Sequence, residues 1–528
     1  MKILEKVLRS TALVLLSMIF LNGCANLPEN DQRTTSMTLA GGENTRLGRA
    51  VAPLLQEQAG NSGVILLGDG VDAFVGRAVL ATLAEKSLDV QYYMFHQDTV
   101  GRLLIREFVK AADRGVRVRL LIDDMYGEEA DDVWSALDTH PNMEVRLYNP
   151  FVRGKSKGLQ MVTQAKRVNH RMHSNTYTVD NQFTIVGGRN IGDEYFNADE
   201  NVAFSDLDAM AIGPVVPQVS NEFDEYWNNR HSFPITTLIA GVEEKNIPEG
   251  ALDSLREDLD KFYQQPQTLA YRDAVKSSDF ANALRNNTAR FSFSQAKIIH
   301  DSAEKMTKEH ENWKEELLIS QLAPYIKEAK EQFTLVSPYF VPGKNGADAI
   351  CKLAEQGVRV RILTNSLVSN DVAAVHTGYI RHRKQLLRCG VELYELNEKL
   401  KELEAKLFTW LPGLSKSSLH AKTMAMDKEL MFVGSFNFDK RSLNINTEIG
   451  ILFQDPVLAS DSAQHFDEHI DNIAFRVEMV KDDRGKESMR WTATEDDKEL
   501  VFTHEPYASF WKRLSVNLMR ILPIDSML

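Results

Sequence analysis

Two stretches of the chain alternate apolar patterns in the same order. Leu88-Asp89-Val90-Gln91-Tyr92-Tyr93-Met94-Phe95 reads as a strand, Gly101 to Arg114 carries its apolar residues at helical spacing, and Gly115-Val116-Arg117-Val118-Arg119-Leu120-Leu121-Ile122 returns to strand. The order recurs as Phe333 to Phe340, a helix around Ala347 to Gln356, and Gly357-Val358-Arg359-Val360-Arg361-Ile362-Leu363. The pentapeptide Gly-Val-Arg-Val-Arg lies at 115 and again 242 residues on, each time a helix stop followed by a strand start. A duplicated β-α-β unit is the economical explanation, and it predicts an α/β protein of two similar lobes.

Between the repeats, 241–318 is polar with helical spacing and is expected to be a connector packed on the outside. Residues 24–45 have few apolar positions and read as a tether. The expected organisation is therefore a leader over 1–23, the tether over 24–45, lobe 1 over 46–240, the connector over 241–318, lobe 2 over 319–480 and a C-terminal extension over 481–528. A length of 528 residues, 43% of them hydrophobic, suits two cores better than one.

The leader has a basic start (Lys2, Lys6, Arg9) and an apolar run from Thr11 to Leu21, shorter than a spanning helix needs. Leu21-Asn22-Gly23-Cys24 resembles a bacterial lipobox, which implies acylation of Cys24, and Ala25-Asn26 behind it resembles an outer-membrane sorting signal. No other stretch is apolar enough to cross a bilayer. The net charge of -13, about -15 without the leader, argues against a nucleic-acid partner. Cys351 and Cys389 fall in predicted helices, and a disulfide between them is open in an oxidising compartment.

The chemistry sits at a second repeated offset. Met172-His173-Ser174-Asn175 and Asp180 recur 247 residues later as Leu419-His420-Ala421-Lys422 and Asp427, and Val186-Gly187-Gly188-Arg189-Asn190 recurs as Val433-Gly434-Ser435-Phe436-Asn437. A strand presents alternate side chains on one face, so His420 with Lys422, and His173 with Asn175, should point the same way. These residues resemble the His-x-Lys signature of the phospholipase D superfamily, followed by Asp and then by Gly-Gly or Gly-Ser with Asn.

That resemblance implies two lobes, each a mixed sheet flanked by helices, with the active site in the cleft between them. It implies that one histidine attacks phosphorus to give a phosphohistidine while the other protonates the leaving group and later serves as base. His173 is expected as nucleophile and His420 as acid and base, with the reverse order open. Lys422, Asn175, Asn190 and Asn437 are expected on the phosphate oxygens, with Arg171 or Arg189 as further cations. Glu448 is the acid expected after the second motif and Asp208 the one after the first; Asp180 and Asp427 are expected to support strand ends. Asn175 departs from the family's lysine and leaves the first motif without its charge.

Arg189 to Phe196, Ser418 to Lys422, Arg441 to Asn444 and the tail from Phe510 to Ile524 resemble bacterial cardiolipin synthases of the C type. The implied activity is phosphatidyl transfer, forming cardiolipin from phosphatidylglycerol with phosphatidylethanolamine or phosphatidylglycerol as donor, and it calls for no cofactor and no metal. The partners expected are membrane phospholipids, reached from a lipid anchor on the outer membrane facing the periplasm. A hydrolytic phospholipase D, a non-catalytic lipid-binding lipoprotein and an anchored nuclease are the alternatives. The tail and the apolar loop Leu407 to Leu414 are each compatible with a lipid surface or with packing on the body.

Overall fold

The computed structural model describes residues 26–519 apart from position 32 and segments 127–129, 200–202, 241–246, 287, 308–312, 371–372, 398–417 and 496–497. The leader with Cys24, the loop Leu407 to Leu414 and the end of the tail lie outside the described residues.

Both expected β-α-β units form. In lobe 1 the strands are β1 (Ser62–Leu67), β2 (Ser87–Tyr92), β3 (Arg117–Asp123), β4 (Met143–Tyr148), β5 (Thr176–Val179), β6 (Phe183–Gly187), β7 (Phe204–Ser205), β8 (Asp208–Ile212) and β9 (Ser232–Pro234). Its main helices are α1 (Gly70–Leu83), α2 (Thr99–Asp113) and α3 (Val215–Trp227). Asp98 starts α2 by accepting from Gly101 N, and Gly115 ends it with a φ of 93° that an L side chain resists. Gly357, at φ 92°, does the same in lobe 2.

The connector is helical first, with α4 (Ala251–Tyr263), α5 (Pro266–Ser277) and α6 (Asp279–Arg285), and then becomes the strand β10 (Ser292–His300). Lobe 2 follows with α7 (Leu318–Glu328), β11 (Gln332–Val336), α8 (Gly343–Glu355), β12 (Arg359–Asn365), α9 (Ala373–Arg388) and β13 (Glu392–Leu396). It continues through β14 (Ser418–Leu419), β15 (Thr423–Met426), β16 (Leu430–Gly434), α10 (Lys440–Asn444), β17 (Ile449–Gln454) and α11 (Pro456–Ile473). The strands β18 (Ala474–Lys481), β19 (Glu487–Glu495) and β20 (Lys498–Phe502) and the helix α12 (Phe510–Met519) complete it.

Lobe 1 is ordered β9-β4-β3-β2-β5-β6-β8-β1, with the β2, β3 and β4 pairings parallel. Lobe 2 repeats the order as β18-β13-β12-β11-β15-β16-β17-β10, with β11, β12 and β13 parallel. The antiparallel pair of β1 with β10, Ser62 opposite Ser294, joins the two into one mixed sheet. The connector thus supplies a central strand, which its helical spacing did not announce: Ser292 to His300 mixes polar and apolar residues because both its neighbours are strands of the sheet and its faces are only partly covered.

Each lobe has its own apolar core, and a third cluster spans the seam. There Val186, Leu207 and Ala211 of lobe 1 meet Leu419, Val433 and Ile451 of lobe 2. Two further expectations change. The segment read as a tether lies along lobe 1 from residue 30 onward: Ser36 O accepts from Arg119, Thr34 O from Arg146, and Thr38 N donates to Asp224. Its polar residues satisfy buried arginines, so low hydropathy did not mean solvent. Cys351 and Cys389 form a disulfide, with a Cα separation of 5.4 Å, that ties α8 to the end of α9.

The tail is helical as α12 and packs on α9 with Val516 buried, while Phe510 and Trp511 are 62% and 73% exposed. Among the described residues no helix is long and apolar enough to cross a membrane.

Candidate active site

Both motif histidines stand just before the hairpins β5–β6 and β15–β16, in extended segments bonded to the opposite lobe. His173 N donates to Thr447 O at 2.8 Å, and Thr447 N returns to Arg171 O. His420 N and Ala421 N both donate to Ser205 O, beside the parallel pairing of β7 with β14. The duplication therefore exchanges backbone across the seam, and this brings the two rings to one cleft.

The carboxylates cross in the same way. His173 Nδ1 lies 2.7 Å from Glu448 Oε2, and His420 Nδ1 lies 2.5 Å from Asp206 Oδ2. Each imidazole is thus oriented at Nδ1 by an acid of the other lobe. Glu448 is itself held by Ser435 Oγ at 2.6 Å and Ser442 Oγ at 2.7 Å. Tyr93 sets its edge against the His173 ring at 4.9 Å, and Tyr195 does so against His420 at 5.1 Å.

Burial would raise the Asp206 carboxyl, but the charges of His420, Lys422 and Arg189 hold it down at about 2. Burial lowers the pKa of His420, Lys422 lowers it further, Asp206 opposes both, and His173 is close enough to add to the lowering. Lys422 Nζ sits over that ring, 3.0 Å from Nδ1 and 3.2 Å from Nε2. A dianionic or monoanionic phosphate beside Lys422 would neutralise this repulsion and favour the imidazolium.

Asp208 is not the acid behind a motif histidine. Its carboxylate takes the buried Arg77 at 2.8 Å and Arg189 at 3.4 Å, two residues from the position that reaches His420. The ladder gives the reason: Gly187 pairs with Asp208 as Gly434 pairs with Gly450, so the partner of Glu448 in the repeat is Asp206. A legible signal existed, since Ser205-Asp206-Leu207 copies Thr447-Glu448-Ile449, but it lies at an offset of 242 rather than 247 because a loop differs in length. Ser435, seen only as part of the second motif, and Ser442 had no role assigned from sequence.

The asparagines divide. Asn175 Nδ2 donates to Gly188 O and to Asn190 Oδ1, both at 3.3 Å, while its Oδ1 accepts from Tyr93 N. Asn190 Nδ2 in turn donates to Tyr195 Oη at 3.1 Å. These two amides brace one another, with Asn175 Nδ2 bonded twice within the protein. Asn437 is different, 6% exposed with its Oδ1 unpartnered among the described residues.

Arg171 and Arg189 are tied to the protein too. Arg171 binds Asp123 and Val168 O, and Arg189 is enclosed by the carbonyls of Leu67, Gly68, Tyr195 and Asp206. Asp180 and Asp427 occupy identical left-handed turn positions at φ 53° and 54°. Asp180 accepts the amides of Glu85, Lys86 and Ser87, and Asp427 those of Lys330, Glu331 and Gln332, so each fastens a hairpin to the start of the adjacent parallel strand.

Comparison with known proteins agrees with this geometry. Residues 80–227 and 322–471 match the family described as "Cardiolipin synthase, PLD-like domain". The chain is 39% identical over 483 residues to cardiolipin synthase C of Escherichia coli strain K12, covering 92% of this chain and 100% of that one. It is 31% identical to an uncharacterized protein of Helicobacter pylori strain 26695, over 97% of this chain and 98% of the relative. Among solved structures, the phosphatidylserine synthase of Haemophilus influenzae Rd KW20 has the same fold, with a TM-score of 0.55 at 13% identity, over 91% of this chain and 98% of that one.

Proposed function

The chain belongs to the cardiolipin synthase family with PLD-like domains, and from that premise we propose that it is a phosphatidyltransferase of membrane phospholipids working through a phosphohistidine. One observation carries the reading: two imidazoles from opposite lobes, each fixed at Nδ1 by a carboxylate from the other, share one seam.

With Nδ1–H given to Glu448, the Nε2 lone pair of His173 is available to attack phosphorus. The bond from phosphorus to the leaving alcohol breaks, and the proton on His420 Nε2 passes to that oxygen. Lys422 and Asn437 meet the nonbridging oxygens, where charge develops. In the second half an acceptor hydroxyl gives its proton to His420, its oxygen attacks phosphorus, and the P–N bond to His173 breaks. A glycerol hydroxyl of phosphatidylglycerol as acceptor makes cardiolipin; water makes phosphatidic acid.

The resemblance to the C-type synthases and the 39% identity over the whole relative support transfer over hydrolysis. The lipobox-like Cys24 supports an envelope protein held to the outer membrane by acyl chains. Purified protein supplied with phosphatidylglycerol, with and without phosphatidylethanolamine, tests the reading: cardiolipin is expected, and phosphatidic acid alone would replace the synthase by a phospholipase D. Enzyme denatured in alkali, where the P–N bond survives, should carry the phosphatidyl group on the peptide containing His173; label on the His420 peptide would reverse the two roles.

A further inference from the structure

Lobe 2 carries a groove of about 730 Å³ on its outer face between α7 and α8, a volume in the range of ligand sites. Ile319, Ile326, Phe438 and Leu443 are among the apolar side chains lining it. Around them stand Lys327, Lys344, Lys352 and Lys440, and no carboxylate of the described residues lines the groove. In a chain of net charge -13 this is an unusual concentration of one sign, and none of the four lysines forms an ion pair among the described residues.

The corresponding face of lobe 1 shows what such a surface does when it is satisfied. Arg102 and Lys110 of α2 lie 242 residues before Lys344 and Lys352 of α8. There α4 covers them: Arg102 stacks at 4.1 Å on Phe262, Lys110 lies over Tyr263, and Arg106 pairs with Asp260. Helix α5 closes the neighbouring face of α1 through Tyr271 against Phe74. Lobe 1 thus meets its basic, partly apolar helix face with aromatic rings and carboxylates from its own connector. Among the described residues lobe 2 has no such cover.

We infer that the groove between α7 and α8 binds one anionic phospholipid, with acyl chain along the groove and phosphate at the end formed by Lys344 and Lys440. Thirteen residues of α8 give it a length of about 20 Å, enough for most of an extended acyl chain. The lysines fit the phosphate as point charges, and the apolar walls fit the chain. The site goes beyond the catalytic cleft, and it touches the catalytic apparatus at one place. Lys440, Leu443 and Asn444 belong to α10, whose Ser442 holds Glu448, the acid behind His173. Occupancy of the groove therefore bears on the short helix that positions that acid.

The test uses the full chain in neutral detergent, titrated with phosphatidylglycerol or phosphatidylcholine and read by native mass spectrometry and hydrogen exchange. Phosphatidylglycerol is expected to be retained and to protect α7 and α8. The double variant Lys344→Gln, Lys440→Gln should weaken retention by about tenfold to a hundredfold, the size of losing charged hydrogen bonds. Ala349→Trp, which fills the groove from the outer face of α8, should weaken it with all four lysines present. Equal retention of the two lipids would overturn the proposal. So would protection confined to the catalytic cleft, or exchange over α7 and α8 that no lipid changes; that last measurement needs no variant and is unaffected by misfolding. His420→Ala protein should retain phosphatidylglycerol in the groove and protect α7 and α8 as before, which separates this site from the reaction proposed above.

Discussion

The two lobes use one backbone plan for different electrostatic work. Lobe 2 has Lys422 over the His420 ring and Asn437, whose Oδ1 has no partner among the described residues, whereas lobe 1 has Asn175 and Asn190 at the same places and bonds them to each other. Beneath the acids the contrast inverts. Lobe 1 buries the charges of Arg77, Arg189 and Asp208, while lobe 2 has Gly450 where Asp208 would be, packed closely under the Phe432 ring. Lobe 1 thus has buried charge at the position of Asp208 and contributes a ring; lobe 2 has apolar packing at that position, keeps its buried pair Asp301 and Lys305 on Glu448 N and Ser442 O instead, and contributes the ring with the cation. The turns of Asp180 and Asp427 did not diverge, because each satisfies three backbone amides that any version of the fold must satisfy.

The largest expected effect breaks the crossed pairing of ring and acid. In Asp206→Asn the amide can donate to His420 Nδ1 and so put the proton on the wrong nitrogen, and kcat should fall about 10⁴-fold, as when the orienting aspartate of a serine protease is changed. Glu448→Gln should cost a comparable factor through His173. Steady-state turnover on dispersed phosphatidylglycerol checks both, and an Asp206→Asn enzyme within tenfold of the parent would remove the proposed role of the crossed acids.

Asp208→Asn should do the opposite, sparing the rings and weakening the fold. It removes the counter-charge of Arg77, which is fully buried, and breaking such a pair costs about 3–5 kcal/mol. A denaturant titration read in lobe 1 should show that loss; Gly450, with no charge to lose, has no equivalent lesion in lobe 2.

How far all this was legible follows from where repetition is regular. The β-α-β units, His173, His420 and the Asp180 and Asp427 turns sit at fixed offsets, and an alternating strand pattern carries them into place. Asp206 was hidden because a loop of different length shifts the offset and because Asp206 and Asp208 have the same strand parity, so periodicity cannot choose between them. The bracing of Asn175, the strand β10 and the docking of residues 30–38 on lobe 1 are long-range choices: each depends on what a distant segment leaves unsatisfied, which no local pattern records.

The division of the asparagines gives a smaller effect. Asn437→Ala should lower kcat about 10²- to 10³-fold with little change in stability, as expected for a donor aimed at developing charge. Asn175→Lys brings the family's charge but loses the acceptor of Tyr93 N, and should destabilise by about 1–3 kcal/mol. Turnover that rises in this variant, with unchanged thermal stability, would show that the bracing of lobe 1 is dispensable and the contrast between lobes shallower than drawn here.

The smallest expected effect concerns pH. Burial and the Lys422 charge both lower the His420 pKa, and Lys422→Met removes the second while leaving Asp206 in place to raise it. The imidazolium should then persist to higher pH, so the limb of kcat that requires protonated His420 should move toward alkaline values even as the rate itself drops. Asn175 carries no charge, so Asn175→Ala should leave that limb where it is. A pH profile of residual turnover for the two variants measures the difference, and a limb that moves toward acid in Lys422→Met would mean that the lysine stabilises the cation it faces, contrary to the sign of two like charges about 3 Å apart.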